Sequence, residues 1–222
     1  MEKIKLFFKG IFYIILYFIL TITLYSIFYD VVYEYDNLMI SNMATIFIEL
    51  LILFIFIIIF RKTIIPDFYD FKKNSKNYLK ENYHYYLIGL VIMIVSNVVI
   101  NFFIQDIATN EEVNREILFT NTLSSIVSMV ITAPIIEELI TRKIFKDTFK
   151  NPWIYILVSG LIFGALHLLV AESFLECLYI IPYAALGAAL AKIYYNTNNI
   201  WSNIFFHSLH NLIAILLIFW GA

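Results

Sequence analysis

The chain has 222 residues, 62% of them hydrophobic and only 14% charged, against about 45–50% apolar and about 25% charged in soluble domains. With a mean hydropathy of +0.83, too little polar surface remains to cover a soluble fold, and the low charge excludes disorder. A net charge of −2 argues against a nucleic-acid binder, which carries a basic patch or stripe. The composition is that of an all-α, polytopic transmembrane helix bundle.

A membrane span needs about 20 mostly apolar residues. Seven such runs can be read, near 7–29, 39–60, 86–105, 122–141, 153–170, 174–194 and 200–220. The first follows Lys3, Lys5 and Lys9. It is too long and bulky for a signal peptide and has no small-x-small cleavage pattern, so it reads as a retained span. The fourth run is expected to continue as a helix to about Phe149, ahead of the turn signal Asn151-Pro152. The basic stretch 61–80 reads as an ordinary loop between spans. Its Phe68, Tyr69, Phe71, Tyr78 and Leu79 also allow an amphipathic stretch lying on the surface. Cys177, the single cysteine, reads as a small buried apolar residue.

Lys and Arg set orientation, because they accumulate on the cytoplasmic side. Fourteen of the fifteen fall at the N-terminus, in 61–80, in 142–150 and at Lys192, all on one side if there are seven spans. The other side holds Arg115 with Asp30, Glu34, Asp36, Asp106, Glu111, Glu112, Glu116 and Glu172. The N-terminus is thus expected inside and the C-terminus outside. Residues 1–121 read as N-terminal transmembrane helices and a cytoplasmic loop, and 122–222 as the part that carries the chemistry, within one integrated membrane domain.

Ionisable groups inside spans are costly and are functional candidates by default. Here they are Glu49, Glu137, Glu138, His167, Glu176, His207 and His210, with Asn211 as an uncharged companion. Glu138 and Arg142 are four apart and share a helix face, where they can pair. Glu137 is rotated by about 100° from Glu138 and has no sequence-local cation. A buried carboxyl of that kind can act as a general base. Counted from the turns, Glu137, His167, His207 and Asn211 all lie about 15–25 Å along their helices. Three helices therefore aim Glu, His, His and Asn at a common depth. Gly160 and Gly164 form a small-xxx-small face for close helix approach, and the Ala-rich sixth run reads as scaffold. His210 reads as a packing or supporting group. Glu49 and Glu176 are expected at interfaces or paired with backbone and Tyr groups, with the substrate cavity as the alternative.

These residues fall into three ordered motifs: Glu137-Glu138-x-x-x-Arg142, Phe163-x-x-x-His167 and His207-x-x-x-Asn211. Over 122–220 the chain resembles the CAAX-protease and bacteriocin-processing (CPBP, or ABI) family of intramembrane glutamic endopeptidases. Members often have Phe-Arg-Gly where this chain has Thr141-Arg142-Lys143. The resemblance implies peptide-bond hydrolysis in the membrane without a metal or cofactor. Glu137 with His167 would activate water, and His207 with Asn211 would hold the oxyanion. Glu138, Arg142 and Phe163 would support the site. It also implies a peptide or protein substrate in or at the bilayer, with CAAX-type processing, bacteriocin maturation and self-immunity among the roles. The loop charges and the lack of an organellar targeting pattern point to a multi-pass protein of a bacterial plasma membrane. The substrate and oligomeric state stay open.

Two rival readings remain. Two His and a carboxylate can bind catalytic zinc, but no His-Glu-x-x-His signature is present. A transporter could use the same groups as a proton relay, but transporters usually repeat broken helices in paired halves, and here the polar cluster is confined to the C-terminal half. The topology is directly testable: a reporter fused after Trp220 is expected to read out as extracytoplasmic, and a cytoplasmic readout would refute the assignment.

Overall fold

The computed structural model describes residues 2–34, 36–105 and 107–221; Asp106, one of the acidic residues assigned to the outer side, lies outside them. Every regular element among the described residues is helical. The helices are α1 (Glu2–Ile27), α2 (Leu38–Ile104), α3 (Thr109–Thr120), α4 (Thr122–Thr148), α5 (Pro152–Leu166), α6 (Phe174–Thr197) and α7 (Ile200–Gly221). Five of these, α1, α2, α4, α6 and α7, are long and apolar enough to cross a membrane, and α5 is a shorter apolar helix. α1 leaves Phe8, Phe12, Ile15 and Ile19 more than half exposed, the apolar outer surface expected of a protein solvated by lipid.

Local chemistry sets the boundaries. Asn37 caps α2 by accepting from the Met39 and Ile40 amides, and Asn151 caps α5 in the same way, with Pro152 at the first helical position. Gln105 and Asn198 end α2 and α6 in the left-handed region, at φ 57 and 49. α6 opens as a 3₁₀ turn, Phe174–Tyr179, through a capping box between Ser173 and Glu176.

α2 departs most from the sequence reading. Its helical hydrogen bonding runs unbroken through the basic stretch 61–80, which was expected as a loop. A straight helix of its 67 residues would be about 100 Å long, yet the contacts show that it doubles back. Near its start Asn42 Oδ1 accepts from the Ser124 amide, and near its end Asn101 bonds Tyr179, both at one end of the bundle. Its middle lies at the opposite end, under the α6–α7 turn. There Asp67 accepts from the Ile200 amide at 2.9 Å, Asn199 donates to Asp70 at 2.7 Å, and Asn196 donates to Asn82 at 2.9 Å. Pro66 lies inside the helix and cannot donate a helix hydrogen bond, which favours a bend there. The Tyr78 hydroxyl, then Asn199 and Asn74, hold the Asp70 carboxyl below the usual carboxylate range. The turn at 196–200 supplies the partners that make this polar, aromatic stretch helical.

The bundle thus has a basic end and an acidic end. The start of α1 reaches the basic end, where Phe7 packs edge-on against Phe145, 5.8 Å between centroids. The 61–80 stretch, the α4–α5 turn and the α6–α7 turn gather there too. α3, with Glu111, Glu112 and Glu116, lies at the other end. Cys177 also departs from expectation: it is exposed, because the 3₁₀ turn carrying it buries only Glu176 and Tyr179.

The core runs from α1 through α2 to α4. Ile48, Ile52 and Phe56 are buried on α2 against Tyr17 and its neighbours, and Ile136, Leu139 and Phe145 are buried on α4. The glycine face of α5 packs on α6 rather than on the helix carrying Glu137. A Cβ at Gly160 would lie 2.8 Å from the Ala184 carbonyl oxygen and 2.9 Å from the Ala188 amide. Both obstacles are backbone, so the two helices would have to separate. Gly160→Val is therefore expected to destabilise the protein by about 1–3 kcal/mol, read as a lower thermal midpoint in detergent; an unchanged midpoint would show that the contact is not tight.

Candidate active site

α4 carries the two adjacent carboxylates. Two π-helical turns interrupt it, Ser128–Thr132 and Leu139–Lys143, and they bracket Glu137 and Glu138. Such bulges widen a helix and leave carbonyls without their usual donors, and they recur at functional sites. Side chains take up these carbonyls. Asn211 Nδ2 donates to Met129 O at 2.7 Å, Ser159 Oγ donates to Thr141 O at 2.7 Å, and Thr141 Oγ1 donates to Glu137 O.

Glu138 is fully buried and forms the centre of the network. Arg142, also fully buried, donates to it through Nε at 2.8 Å and Nη2 at 3.2 Å. Asn203 Nδ2 donates at 3.0 Å, and His207 Nδ1 lies 3.0 Å from Oε1. A carboxylate held by a guanidinium can only accept, so His207 Nδ1 carries the hydrogen. The remaining Arg142 nitrogen, Nη1, donates to Ser159 Oγ at 2.8 Å. Phe163 lies against the same groups, with its ring centroid 5.1 Å from the guanidinium carbon, 4.5 Å from the His167 ring and 5.4 Å from the His207 ring.

Glu137 is placed differently. Its side chain keeps 22% exposure, and its charged contact is His207 Nε2, 3.9 Å from Oε2. That oxygen is buried and, among the described residues, has no hydrogen-bond donor. His167 follows the last residue of α5. Its Nδ1 lies 2.9 Å from Phe163 O, and because a carbonyl only accepts, Nδ1 is the donor and Nε2 is left as an acceptor. Tyr183 stacks on the His167 ring at 4.6 Å.

Glu137, His167, His207 and Asn211 line one cavity of about 640 Å3, together with Phe163 and His210. All four sequence-predicted catalytic residues are thus brought together, with Glu138, Arg142 and Phe163 directly beneath them. The cavity runs toward the acidic end, past Glu49, Ser125 and Asn121 to Asn110 and Glu111. Both halves of the chain build it. A second cavity of about 530 Å3 at the basic end, between Phe7 and Ile154, lies away from this chemistry. His210 bonds the Tyr86 hydroxyl through Nδ1 at 3.3 Å, as a packing group would. Glu176 accepts from the Thr109, Glu172 and Ser173 amides and organises a loop.

Sequence reasoning passed over Ser159 and Asn203. Asn203 lies four residues before His207, so Asn203, His207 and Asn211 form one polar line on a largely apolar helix, a signal that was available. Among the described residues no group of three or more His, Cys, Asp or Glu side chains is arranged to hold a metal ion. Glu138, the best placed carboxylate, already has its oxygens taken by Arg142, Asn203 and His207.

Comparison with known proteins converges on the same segment. The family model of Rce1-like type II CAAX prenyl endopeptidases matches residues 119–213. "UPF0177 protein YbdI" of Lactococcus lactis subsp. lactis (strain IL1403) is 28% identical over 113 residues, covering 51% of this chain and 58% of that protein. "Putative membrane peptidase YdiL" of Bacillus subtilis (strain 168) is 29% identical over 111 residues, covering 49% of this chain and 42% of that protein. The chain thus spans about half the length of the curated relatives it matches. No solved structure matches it. The matched segment holds all three motifs, in order, so the similarity to Rce1-like type II CAAX prenyl endopeptidases falls on the residues that build the site.

Proposed function

We propose that the protein is an intramembrane glutamic endopeptidase that hydrolyses peptide bonds of hydrophobic or membrane-associated substrates without a metal. The observation that carries this reading is the contrast between the two adjacent carboxylates. Glu138 has every oxygen engaged, whereas Glu137 presents a buried, donorless oxygen beside a cavity. Water between Glu137 and His167 Nε2 would give a proton to Glu137 as its oxygen attacks the scissile carbonyl carbon. The resulting oxyanion would accept from Asn211, whose second amide hydrogen is not used on Met129 O, and from His207. Collapse breaks the C–N bond, and the proton held by Glu137 passes to the leaving amine.

The role of His207 carries a protonation requirement. With Nδ1 donating to Glu138, Nε2 can donate to an oxyanion only in the imidazolium form. In that form two carboxylates, one guanidinium and one imidazolium sum to zero charge, the arrangement a low-dielectric site favours. The clustering of fourteen basic residues at the opposite end supports an orientation with the acidic end outside the cytoplasm. We assign the protein to a bacterial plasma membrane, in keeping with its bacterial relatives.

Hydrolysis of hydrophobic peptides by the purified protein in liposomes tests the reading. Glu137→Gln and His167→Ala are expected to lower kcat/KM by about 10²–10⁴-fold, and Asn211→Ala by about 10²–10³-fold, while a chelator changes nothing. Full hydrolysis in all three variants would overturn the proposal. Chelator-sensitive hydrolysis restored by zinc would favour a metal site, and loss of an ion flux alone would favour a transporter. Glu138→Gln is expected to cost stability, about 3–5 kcal/mol, by leaving Arg142 without its counter-charge. Adding Arg142→Met should restore much of the thermal midpoint but not the activity, since His207 stays without its orienting carboxylate.

A further inference from the structure

Glu49 is a second carboxylate on the cavity wall that the chemistry above does not use. It is 91% buried, at 9% relative exposure. Its partners are two hydroxyls: Tyr25 OH donates to Oε1 at 3.1 Å and Thr132 Oγ1 donates to Oε2 at 2.7 Å. Two carboxylate oxygens offer about four acceptor sites, so about two remain open. Among the described residues no Lys, Arg or His lies within 4.0 Å of it. A buried carboxylate that is hydrogen-bonded but lacks a counter-ion is incompletely compensated. Glu49 lines the cavity that also holds Glu137.

The approach to it is acidic as well. Glu111 lines the cavity at the acidic end, and Arg115 beside it already pairs with Glu111 at 2.9 Å. With Glu112, Glu116 and Glu172 also at that end, the field at the entrance favours cations. Among the described residues, no Lys or Arg lines the cavity.

Resting on the peptidase reading above, we propose that Glu49 is a specificity carboxylate that receives a Lys or Arg side chain of a hydrophobic peptide substrate. Thr132, which anchors Glu49, precedes Glu137 by five residues on α4, a rise of about 7.5 Å. Extended peptide advances about 3.3 Å per residue. The basic side chain therefore sits about two residues from the scissile bond, on the side toward the acidic end. Tyr25 and Thr132 hold the carboxylate in place, so the incoming cation completes an ion pair that the fold leaves half-built.

Binding tests this independently of hydrolysis. Glu137→Gln protein in nanodiscs is titrated with fluorescent Leu/Ala peptides of about twelve residues carrying a single Lys, norleucine or Glu. The Lys peptide is expected to bind roughly ten-fold or more tightly than its norleucine twin, equivalent to about 1.4 kcal/mol. Adding Glu49→Gln should erase that preference, Glu49→Asp should retain much of it, and Glu49→Lys should transfer it to the Glu peptide. Equal binding of Lys and norleucine peptides to folded protein, or a Lys preference that survives Glu49→Gln, overturns the assignment. If the Lys preference depends on Glu49 but the unmodified chain hydrolyses none of the peptides, the subsite stands and the peptidase reading falls.

Discussion

The fully buried ion pair between Arg142 and Glu138 is the constraint on which the rest of the site depends. Taking two charges out of water is tolerable only when geometry and further hydrogen bonds compensate them. Here the compensation comes from Ser159 on α5 and from Asn203 and His207 on α7. Asn203 is itself tied to α6 through the Leu190 carbonyl at 2.7 Å. One charge pair on α4 thereby fixes the positions of three other helices. The glycines of α5 serve the same end, since Ser159 and Gly160 are consecutive and α5 must meet α4 and α6 at once.

The two π turns have a place in that arrangement. A regular helix would keep every carbonyl of α4 for its own amides. The bulges release carbonyls next to the site, and Asn211 and Ser159 hold two of them. Asn211 is thereby fixed by one amide hydrogen while the other remains for chemistry. The support continues at the basic end, where the middle of α2 grips the start of α7 through Asp67, Asp70 and Asn199. α7 carries both His207 and Asn211, so that grip sets the height of the proposed oxyanion donors.

Much of the site was legible because lipid makes polar residues conspicuous. Glu137, His167, His207 and Asn211 stood out against an apolar background, and spacing alone set Glu138 on the face of Arg142. The connection between the second and third apolar runs was not legible. Its charges and aromatics read as a loop, and partners 114 or more residues later, from Asn196 to Trp201, hold it as helix. The π turns have no sequence signature of their own, because they reflect hydrogen bonds offered by other helices. The tautomer of His207 was hidden for the same reason: it follows from Glu138, which pattern reading had assigned wholly to Arg142.

Three carboxylates in and around the cavity show how compensation tracks role. Glu138 has a guanidinium, an imidazole and an amide, and nothing remains for a substrate to add. Glu49 has two hydroxyls and, among the described residues, no cation within 4.0 Å, which holds it in place but leaves room for a positive charge. Glu137 has one oxygen without any donor and a histidine nitrogen at 3.9 Å. That is too far for a hydrogen bond and close enough to sense charge. A side chain left that poorly solvated is costly in any protein interior and more so beneath lipid. The fold avoids the cost at Glu138 four residues from a guanidinium, so the same device was available to its neighbour. That Glu137 is turned toward the cavity instead is the strongest physical argument that its lone pairs are kept for a proton taken from water.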